Sequence, residues 1–331
     1  MGTPVTDEAA VAAATAGDEH AFGRLAEQHR HELHVHCYRM LGNFEDAEDV
    51  VQEALVRAWR ARDGFTGTGF RAWLYKIATN ASLDTIRRKQ RHVAKADSVA
   101  EVPWLQPYPD HLLDLAAPPD AEPDAMAVAR ETIELGFLVA IQLLPAQQRA
   151  VLVLRDVLDW SARETAELLD TTVAGVNSAL QRARATLRDK VPGRDELAPD
   201  TPSDVERDLL ARYIEAHRRA DVSGLADLVR DDIRITMPPH PWVYDGLPAL
   251  APLFQAAFGG SHGDWLLVPT RANRQLAAAN YLREPGDDVF RAFKIDVVRC
   301  AGDRIAEVTT FDNTLFAAFG LPPTMRPPED T

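Results

Sequence analysis

The hydrophobic positions of the first ninety residues repeat at roughly helical spacing. Phe22, Leu25, Leu33, Cys37 and Met40 form one apolar stripe, and Gly42-Asn43 then supplies a stop signal. A second helix begins with the acidic residues at 45–49, which suit a helix N-terminus, and a glycine-rich break follows at 63–69. A third helix is predicted from Phe70 to Arg91, so this block is helical throughout.

Helical periodicity returns at about residue 126 and continues to 144. Pro145 opens another helix, and Ser161 followed by Glu164 is the signature of a capping box for a short one at 162–169. Thr171 or Thr172 caps a last helix, whose apolar residues recur at spacings of three and four. The two final helices and the short turn between them predict a helix-turn-helix.

Beyond residue 204 the spacing of the hydrophobic residues changes. Helices are expected at 205–220, 223–230 and 247–258, and strands at 233–237, 264–270, 275–283, 289–300 and 304–311. Helices followed by an antiparallel run of strands indicate an α+β domain. The predicted fold class is therefore multidomain, with two all-α domains followed by an α+β domain.

The predicted domains are separated by two linkers. The first helical domain covers 18–92, the second covers 131–190, and the α+β domain covers 205–325. The segment 93–130 carries two basic and seven acidic residues together with several prolines, which predicts an extended linker. A second linker is expected at 191–204.

Composition and charge limit the function classes. The 331 residues carry a formal net charge of −14, which argues against a free-standing, non-specific nucleic-acid binder but not against a DNA reader delivered by a larger partner. Cys37 and Cys300 lie far apart, and no long apolar run or leader pattern is present. We expect a cytoplasmic protein that binds no membrane.

The last predicted helix of the second block combines polar groups that can read DNA. Asn177, Gln181, Arg184 and Arg188 form a stripe opposite its apolar face, and Ser178 and Arg182 lie beside it. Amide and guanidinium groups on a helix suit base edges and phosphates in the major groove. The alternative is the solvated face of a small bundle.

Aromatic and basic residues on the third helix suggest contact with unpaired bases. Phe65, Phe70, Trp73 and Tyr75, with Arg71 and Lys76, could stack on unpaired bases while cations hold the backbone, although Phe70 and Trp73 also suit a core. The basic run 87–95 also suits a solvated face. A histidine-rich stretch at 29–37 resembles a metal-binding cluster, but the spacing of its residues does not place a third metal ligand beside the first two. We expect no metal and no cofactor.

Three stretches carry a family resemblance. LGNFEDAEDVVQEALVRAWR at 41–60 and FRAWLYKIATNASLDTIRRKQR at 70–91 resemble region two of an extracytoplasmic-function sigma factor, and 144–187 resembles region four. The C-terminal block resembles a SnoaL-like domain with a cone-shaped α+β fold. The order of the three resembles the branch of these sigma factors that carries a fused SnoaL-like extension. The resemblance implies a transcription initiation factor whose partners are core RNA polymerase and promoter DNA.

The resemblance also assigns roles to matching residues, while the acidic linker 93–130 matches a segment threaded through the polymerase channel. The acids on the second helix match the polymerase-docking surface: Asp46, Glu48, Asp49 and Glu53. Eight residues match family positions that contact the −10 promoter element and the DNA beside it: Gly64, Phe65, Phe70, Trp73, Asn80, Arg87, Arg88 and Arg91. Five residues match family positions that contact the −35 element: Asn177, Ser178, Gln181, Arg182 and Arg184. Many relatives have Arg at the position of Asn177, so a preference for guanine there is not carried over.

The C-terminal domain leaves two readings open. Its pocket candidates are polar and aromatic residues that suit binding as readily as catalysis: His240, Trp242, Tyr244, Arg271 and Asp312, with Asp245, His262 and Asn273 beside them. We favour a non-enzymatic domain that regulates the sigma half, with a small-molecule ligand or an anti-sigma factor as further partners. The alternative is a bifunctional protein whose C-terminal domain is a small-molecule isomerase, cyclase or hydrolase, or a ligand sensor.

Overall fold

The computed structural model describes residues 7–65, 69–89, 102–116, 132–190, 202–259 and 263–327. The chain forms two compact units. The N-terminal unit comprises 1–94, 112–132 and 140–192, and the C-terminal unit comprises 95–111, 133–139 and 193–331. Arg91, Lys95, His262 and most of both predicted linkers lie outside the described residues.

The first helical block has the predicted helices, with one addition at its start. These are α1 (Asp7–Thr15), α2 (Glu19–Leu41), α3 (Phe44–Ala61) and α4 (Phe70–Arg88). Gly42 ends α2 in a left-handed conformation, and the Asn43 side chain caps α3 by accepting a hydrogen bond from Asp46 N–H. The predicted apolar stripe of α2, from Phe22 to Met40, is buried against α3 and α4.

The second block contains the predicted helix-turn-helix. After α5 (Asp110–Ala116) and α6 (Leu135–Gln142), α7 (Ala146–Leu152) continues into a π-helical turn at Val153–Val157. The capping box of Ser161 and Glu164 starts α8 (Ala162–Leu168), and α9 follows at Val173–Lys190. Thr172, rather than Thr171, caps α9 through Gly175 N–H. In the described part of the chain, no helix is both long and apolar enough to cross a membrane.

The C-terminal unit confirms the α+β class. Helices α10 (Asp204–Arg218), α11 (Val222–Leu228) and α12 (Ala251–Phe258) accompany a seven-stranded sheet of order β2-β1-β6-β5-β4-β3, with β7 paired to β5. The strands are β1 (Val229–Thr236), β2 (Val243–Asp245), β3 (Asp264–Ala272), β4 (Gln275–Arg283), β5 (Phe290–Ala301), β6 (Arg304–Asp312) and β7 (Thr324–Met325).

The sheet is mixed rather than purely antiparallel. β3 to β6 pair antiparallel as expected, but β1 pairs parallel with β6. The short strands β2 and β7 escaped sequence analysis because two or three residues give no alternation to detect. Residues 247–250 form a 3₁₀ turn before α12 because Pro248 and Pro252 interrupt the helical hydrogen bonds.

The predicted extended linker contains packed residues. Val102, Leu105 and Tyr108 are buried, and α5 begins at Asp110. The prolines and acids suggested a solvated segment, yet the apolar residues between them pack against folded structure. The composition of the segment as a whole concealed this short apolar pattern.

Arg149 is a buried cation at the centre of the N-terminal unit. It is 1% exposed, and its guanidinium donates to the carbonyl of Met40 at 2.6 Å, to Gln142 Oε1 at 2.6 Å and to the carbonyls of Gln142 and Leu144. Met40 lies in the last turn of α2, where the helix dipole favours a positive charge. Arg149 therefore joins α7 to the C-terminal end of α2.

We expect Arg149→Met to destabilise this unit by on the order of 3–5 kcal/mol, because several buried carbonyl groups lose their donor. For a unit of this size the loss corresponds to a melting midpoint lower by about 5–15 °C. Calorimetry of the full chain measures the shift. Arg163→Met, at an arginine whose side chain is 84% exposed, is the matched control and should change the midpoint by about 2 °C or less. Equal midpoints for the two variants would contradict the role of Arg149.

Candidate functional site

The outer face of α9 displays the polar residues predicted from its sequence. Asn177, Ser178, Gln181 and Arg182 are all exposed. The opposite face is buried through Val176, Leu180, Ala183 and Leu187, which pack in the helical bundle. A rigid helix therefore presents two amides, a hydroxyl and a guanidinium on one surface, a set of groups that suits the major groove.

Arg184 differs from its neighbours on α9. Its guanidinium makes a bidentate contact with Asp156, with Nε to Oδ2 at 2.9 Å and Nη2 to Oδ1 at 2.6 Å. The ion pair raises the pKa of Arg184 and fixes its side chain against the turn that follows α7. Arg184 is thus engaged within the chain, whereas no ion pair of Arg182 is found among the described residues.

The N-terminal end of α4 carries a cluster of aromatic rings. The Phe65 ring lies 5.1 Å from Trp73 and 5.8 Å from Phe70 between centroids. Phe70 is buried, as the core interpretation predicted, while Phe65 and Trp73 are half-buried. Gly64 is exposed before them, and Gly69 takes a positive φ of 72° at the N-terminus of α4. The described ends of this loop therefore lie beside partly accessible rings.

The remaining α4 candidates lie towards its C-terminal end. Asn80 is half-buried, and Arg87 and Arg88 are exposed. Arg87 donates to Asp84 Oδ1 at 2.8 Å, and Arg88 donates to Thr85 Oγ1 at 3.2 Å. Both guanidinium groups keep other N–H donors directed to solvent, which suits contact with phosphates.

The acidic residues of α3 fall into two groups. Asp46 is buried and accepts from Lys89 Nζ at 2.6 Å, while Glu48 pairs with Arg30 at 3.1 Å. Glu53 pairs with Arg57, and Asp49 is exposed. Asp46 therefore pairs with the residue that follows α4, and Asp49 is the exposed one of the four predicted docking acids.

The histidine-rich stretch of α2 serves packing. His36 is fully buried and its Nε2 lies 2.8 Å from Thr79 Oγ1, while burial lowers the pKa of His36 to about 3. Burial raises the pKa of the Cys37 thiol to about 12. Within the described ranges, no group of three or more histidine, cysteine or acidic side chains could hold a metal ion.

Helix α4 also contacts the helix-turn-helix within the N-terminal unit. Lys76 Nζ donates to the carbonyl of Glu167 at 3.2 Å and lies 3.4 Å from Asp170 Oδ1. The rings of Tyr75 and Trp160 lie 5.6 Å apart. The two segments that carry the DNA-reading candidates are thus packed together.

In the C-terminal unit, the turn between β3 and β4 holds the segment that precedes α5. Asn273 is fully buried; its Oδ1 accepts from Tyr108 N–H at 2.8 Å, and its Nδ2 donates to the carbonyl of Ile133 at 2.7 Å. Asn273 N–H donates to the carbonyl of Tyr108, and Pro109 forms a bridge with Ala272. One side chain therefore ties together two points that lie 25 residues apart in the chain.

Asp110 adds charge to this contact. Its Oδ1 accepts from Arg274 N–H at 2.8 Å, and its Oδ2 lies 3.1 Å from Arg271 Nε. Gln275 extends the contact by accepting from Leu135 N–H at 3.3 Å. Arg271 and Asn273 were expected at a pocket, and the structure places both at this linker contact. The sequence around Tyr108 and Asp110 offers one sign of packing, a few apolar residues among the prolines. It does not indicate that these residues pack against the turn between β3 and β4.

A cavity of about 50 Å³ lies between the sheet of the C-terminal unit and its helices. Most of its walls are apolar, with polar groups at one end from Tyr213, His217, Lys294 and Thr310. Its apolar lining consists of Leu225, Val229, Ile235, Met237, Leu250, Leu253, Phe254, Ala257, Phe258, Trp265 and Val308. A volume of this size has room for a few water molecules.

A buried carboxylate organises the polar end of the cavity. Asp296 is fully buried and accepts from Tyr213 OH at 3.0 Å, Thr310 Oγ1 at 2.7 Å and Asn280 Nδ2 at 3.0 Å. Lys294 Nζ lies 3.1 and 3.0 Å from its two oxygens. Burial alone would raise the pKa of Asp296, but Lys294 and these donors hold it below its usual range. Asp296 is therefore an ionised and fully hydrogen-bonded structural group.

The predicted pocket residues lie elsewhere. His240 and Trp242 stack on each other at 4.4 Å in an exposed loop, and Tyr244 is half-buried on β2. Asp312 is exposed at the end of β6, where its Oδ1 accepts from Thr314 N–H. With Arg271 at the linker contact, none of the five lines the cavity described above. Sequence analysis missed Lys294 and Asp296, whose i, i+2 spacing places both on one face of β5.

Comparison with known proteins identifies several relatives. The family described as Sigma-70 region 2 matches residues 25–92, and Sigma-70, region 4 matches 135–187. The ECF RNA polymerase sigma factor SigG of Mycobacterium tuberculosis is 41% identical over 319 residues, covering 91% of this chain and 84% of that protein. SigW of Bacillus subtilis is 34% identical over 175 residues, covering 52% of this chain and 89% of that protein.

A solved structure is similar along most of the chain. The crystal structure of the extracytoplasmic function sigma factor SigJ of Mycobacterium tuberculosis has a TM-score of 0.58 at 20% identity, covering 91% of this chain and 99% of that one. At this identity the likeness shows the fold alone. It confirms the predicted order of helical domains followed by a domain of helices and mixed sheet.

The linker contact predicts the exchange rate of one amide. Asn273→Gly keeps the positive φ of the turn but removes both side-chain hydrogen bonds, so we expect the Tyr108 amide to exchange at least about tenfold faster. Hydrogen exchange followed by NMR measures it in the full chain. Asp303→Gly, in the two-residue turn between β5 and β6, is the matched control and should leave Tyr108 unchanged. An unchanged rate in Asn273→Gly would show that the side chain does not hold the segment.

Proposed function

Because the chain belongs to the family of extracytoplasmic-function RNA polymerase sigma factors, we propose that its C-terminal domain controls promoter use by holding the segment between the two sigma regions. The chain is a sigma factor that binds core RNA polymerase and directs transcription initiation at promoter DNA. The observation that carries the proposed control is the pair of hydrogen bonds from Asn273 to Tyr108 and Ile133.

The two anchored points enclose most of the acidic linker. Tyr108 precedes α5, and Ile133 lies just before α6, so one turn holds two points of the chain on either side of residues 109–132. In sigma factors of this kind the corresponding segment is threaded through the polymerase channel. A loop with both ends held cannot extend along a channel, so binding to polymerase requires this contact to open or to move with the segment.

The strength of the contact suits a switch. Each neutral hydrogen bond contributes about 0.5–1.5 kcal/mol net, and the bonds to the Asp110 carboxylate contribute about 1.5–3 kcal/mol each. The three bonds of Asn273 and the bond from Arg274 N–H to Asp110 are therefore together worth on the order of 3–7 kcal/mol. A larger polymerase interface can exceed this energy, while in the free protein the contact stays closed.

The promoter-reading surfaces follow from exposure. On α9, Asn177, Ser178, Gln181 and Arg182 would contact the −35 element, with Arg184 fixed by Asp156 as a positioning residue. On the first helical domain, Phe65 and Trp73 would stack on a base of the −10 element with Asn80 nearby, and Arg87 and Arg88 would contact phosphates. The exposed carboxylate of Asp49 would face polymerase.

We infer that the C-terminal domain is not an enzyme. The buried Asp296 is ionised with all its acceptor positions used, so it is not available as a general base. His217 also lines the cavity, but burial lowers its pKa to about 4, so it is only a weak base. A sigma factor acts with RNA polymerase, so its place of action is the cytoplasm. Control through the linker needs no separate anti-sigma factor.

Releasing the linker should raise transcription. We expect Asn273→Gly to increase the apparent affinity for core polymerase about tenfold, because the closed form loses at least about 1.4 kcal/mol. In vitro transcription at limiting sigma concentration measures the change, with Asp303→Gly as the matched control. A loss of activity in a folded Asn273→Gly protein would mean that the contact serves the active form.

The −35 assignment has its own test. Arg182→Ala should weaken binding to promoters with an intact −35 element by about 1–3 kcal/mol, if it removes a base-edge contact, and should have little effect where that element is scrambled. Polymerase holoenzyme carrying Arg163→Ala, on the neighbouring helix α8, serves as control. An identical loss of affinity on both promoters would show that Arg182 contacts phosphates. No loss of affinity on either promoter would show that Arg182 does not contact the DNA.

A further inference from the structure

We propose that the cavity of the C-terminal domain binds one small, uncharged molecule of about the size of a single ring that carries a hydroxyl group. The polar end of the cavity would hold the hydroxyl, and the aromatic and aliphatic walls would hold the ring. This proposal does not rest on the linker contact, because the cavity and the β3–β4 turn involve different residues.

His217 offers a hydrogen-bond acceptor to the cavity. Its Nδ1 lies 2.9 Å from the carbonyl of Tyr213, and a carbonyl can only accept, so Nδ1 carries the proton. Burial, followed by the nearby Lys294, lowers the pKa of His217 to about 4, so the ring is neutral at pH 7. Its Nε2 is then an acceptor, and it makes no hydrogen bond with any described residue. This nitrogen belongs to a side chain that lines the cavity.

Lys294 supplies a hydrogen-bond donor to the same cavity. Its ammonium group has three protons, and its contacts are with the two oxygens of Asp296. At least one N–H therefore remains for another acceptor, and Lys294 lines the same cavity as His217. A hydroxyl can accept from Lys294 and donate to His217 Nε2 at once, whereas a ketone could use only the first group and an ammonium only the second.

The net charge of the polar end determines which class of ligand the cavity favours. Lys294 and Asp296 neutralise each other, and His217 is neutral, so the polar end carries no net charge. The rest of the wall is apolar, with the Trp265 ring below Lys294 at 5.8 Å from Nζ. An anionic or cationic ligand would bring an uncompensated charge into this site, which burial strongly disfavours. An uncharged ligand avoids that cost.

The volume limits the size of the ligand. About 50 Å³ is several times the 10–15 Å³ that one water molecule requires on the same measure, which corresponds to about three to five waters. A single six-membered ring is the upper limit for this volume, and it enters only if half-buried side chains of the wall, such as Met237 and Phe254, move outward. Fused ring systems are excluded.

Ring-sized probes of equal shape test the proposal on the full chain. Phenol carries the hydroxyl, toluene has no polar group and benzoate is charged, and ligand-observed NMR measures the three affinities. We expect phenol to bind at least tenfold more tightly than either of the others. Phenol should also shift the resonance of the Trp265 indole N–H, which is bonded to the Ala257 carbonyl at 3.1 Å. No binding of phenol would overturn the site, and tighter binding of benzoate would overturn the uncharged class.

Two variants locate the site. Ala257→Phe fills the cavity without touching its polar end and should weaken phenol at least tenfold, while Ala256→Phe, at the exposed neighbouring position on α12, should not. His217→Phe keeps a ring of similar size but removes the acceptor, so phenol should lose most of its advantage over toluene while the donor of Lys294 remains. Equal phenol affinity in Ala257→Phe and Ala256→Phe would place the probe elsewhere. The indole shift in the unaltered protein keeps the test decisive if a variant fails to fold.

Discussion

The two-residue turn between β3 and β4 is the constraint from which the C-terminal unit is organised. The strands pair residue for residue over nine positions, from Asp264 with Arg283 to Ala272 with Gln275, so only Asn273 and Arg274 reverse the chain. Such a reversal of twisted strands requires positive φ at both positions, and the values are 56° and 62°. Asn tolerates this conformation well, whereas Arg pays a cost of about 1–2 kcal/mol. The bond from Arg274 N–H to Asp110 offsets that cost, so the turn and the linker stabilise each other.

A buried charge imposes the second constraint. Asp296 lies on β5, and the groups that compensate it come from three other elements: Tyr213 from α10, Thr310 from β6 and Asn280 from β4. Because an uncompensated carboxylate in this position would be very costly, α10 cannot shift along the sheet without breaking the Tyr213 bond. The same network directs Lys294 and fixes His217 one helical turn beyond Tyr213. The position of the helix and the chemistry of the cavity therefore have a common cause.

Sequence patterns predicted regular elements well and long-range partners poorly. The strand at 275–283 and the capping box of Ser161 and Glu164 follow from local periodicity and local hydrogen bonding, and both are observed. The exposed face of α9 could be predicted for the same reason, since its buried face is a clear stripe. The linker contact could not, because Tyr108 and Asn273 are 165 residues apart and no local pattern encodes their pairing. The parallel pairing of β1 with β6 was missed for the same reason.

Contacts within the N-terminal unit hold the two proposed promoter-reading surfaces close together. Lys76 on α4 contacts Asp170 at the start of the turn before α9, and Arg182 is twelve residues further along. At 1.5 Å per helical residue this places Arg182 within roughly 20–30 Å of α4. The proposed reading surfaces on α4 and α9 therefore stay close together while these contacts persist. Arg149 adds to this constraint, because its bond to the Met40 carbonyl joins α7 to α2 within the same unit.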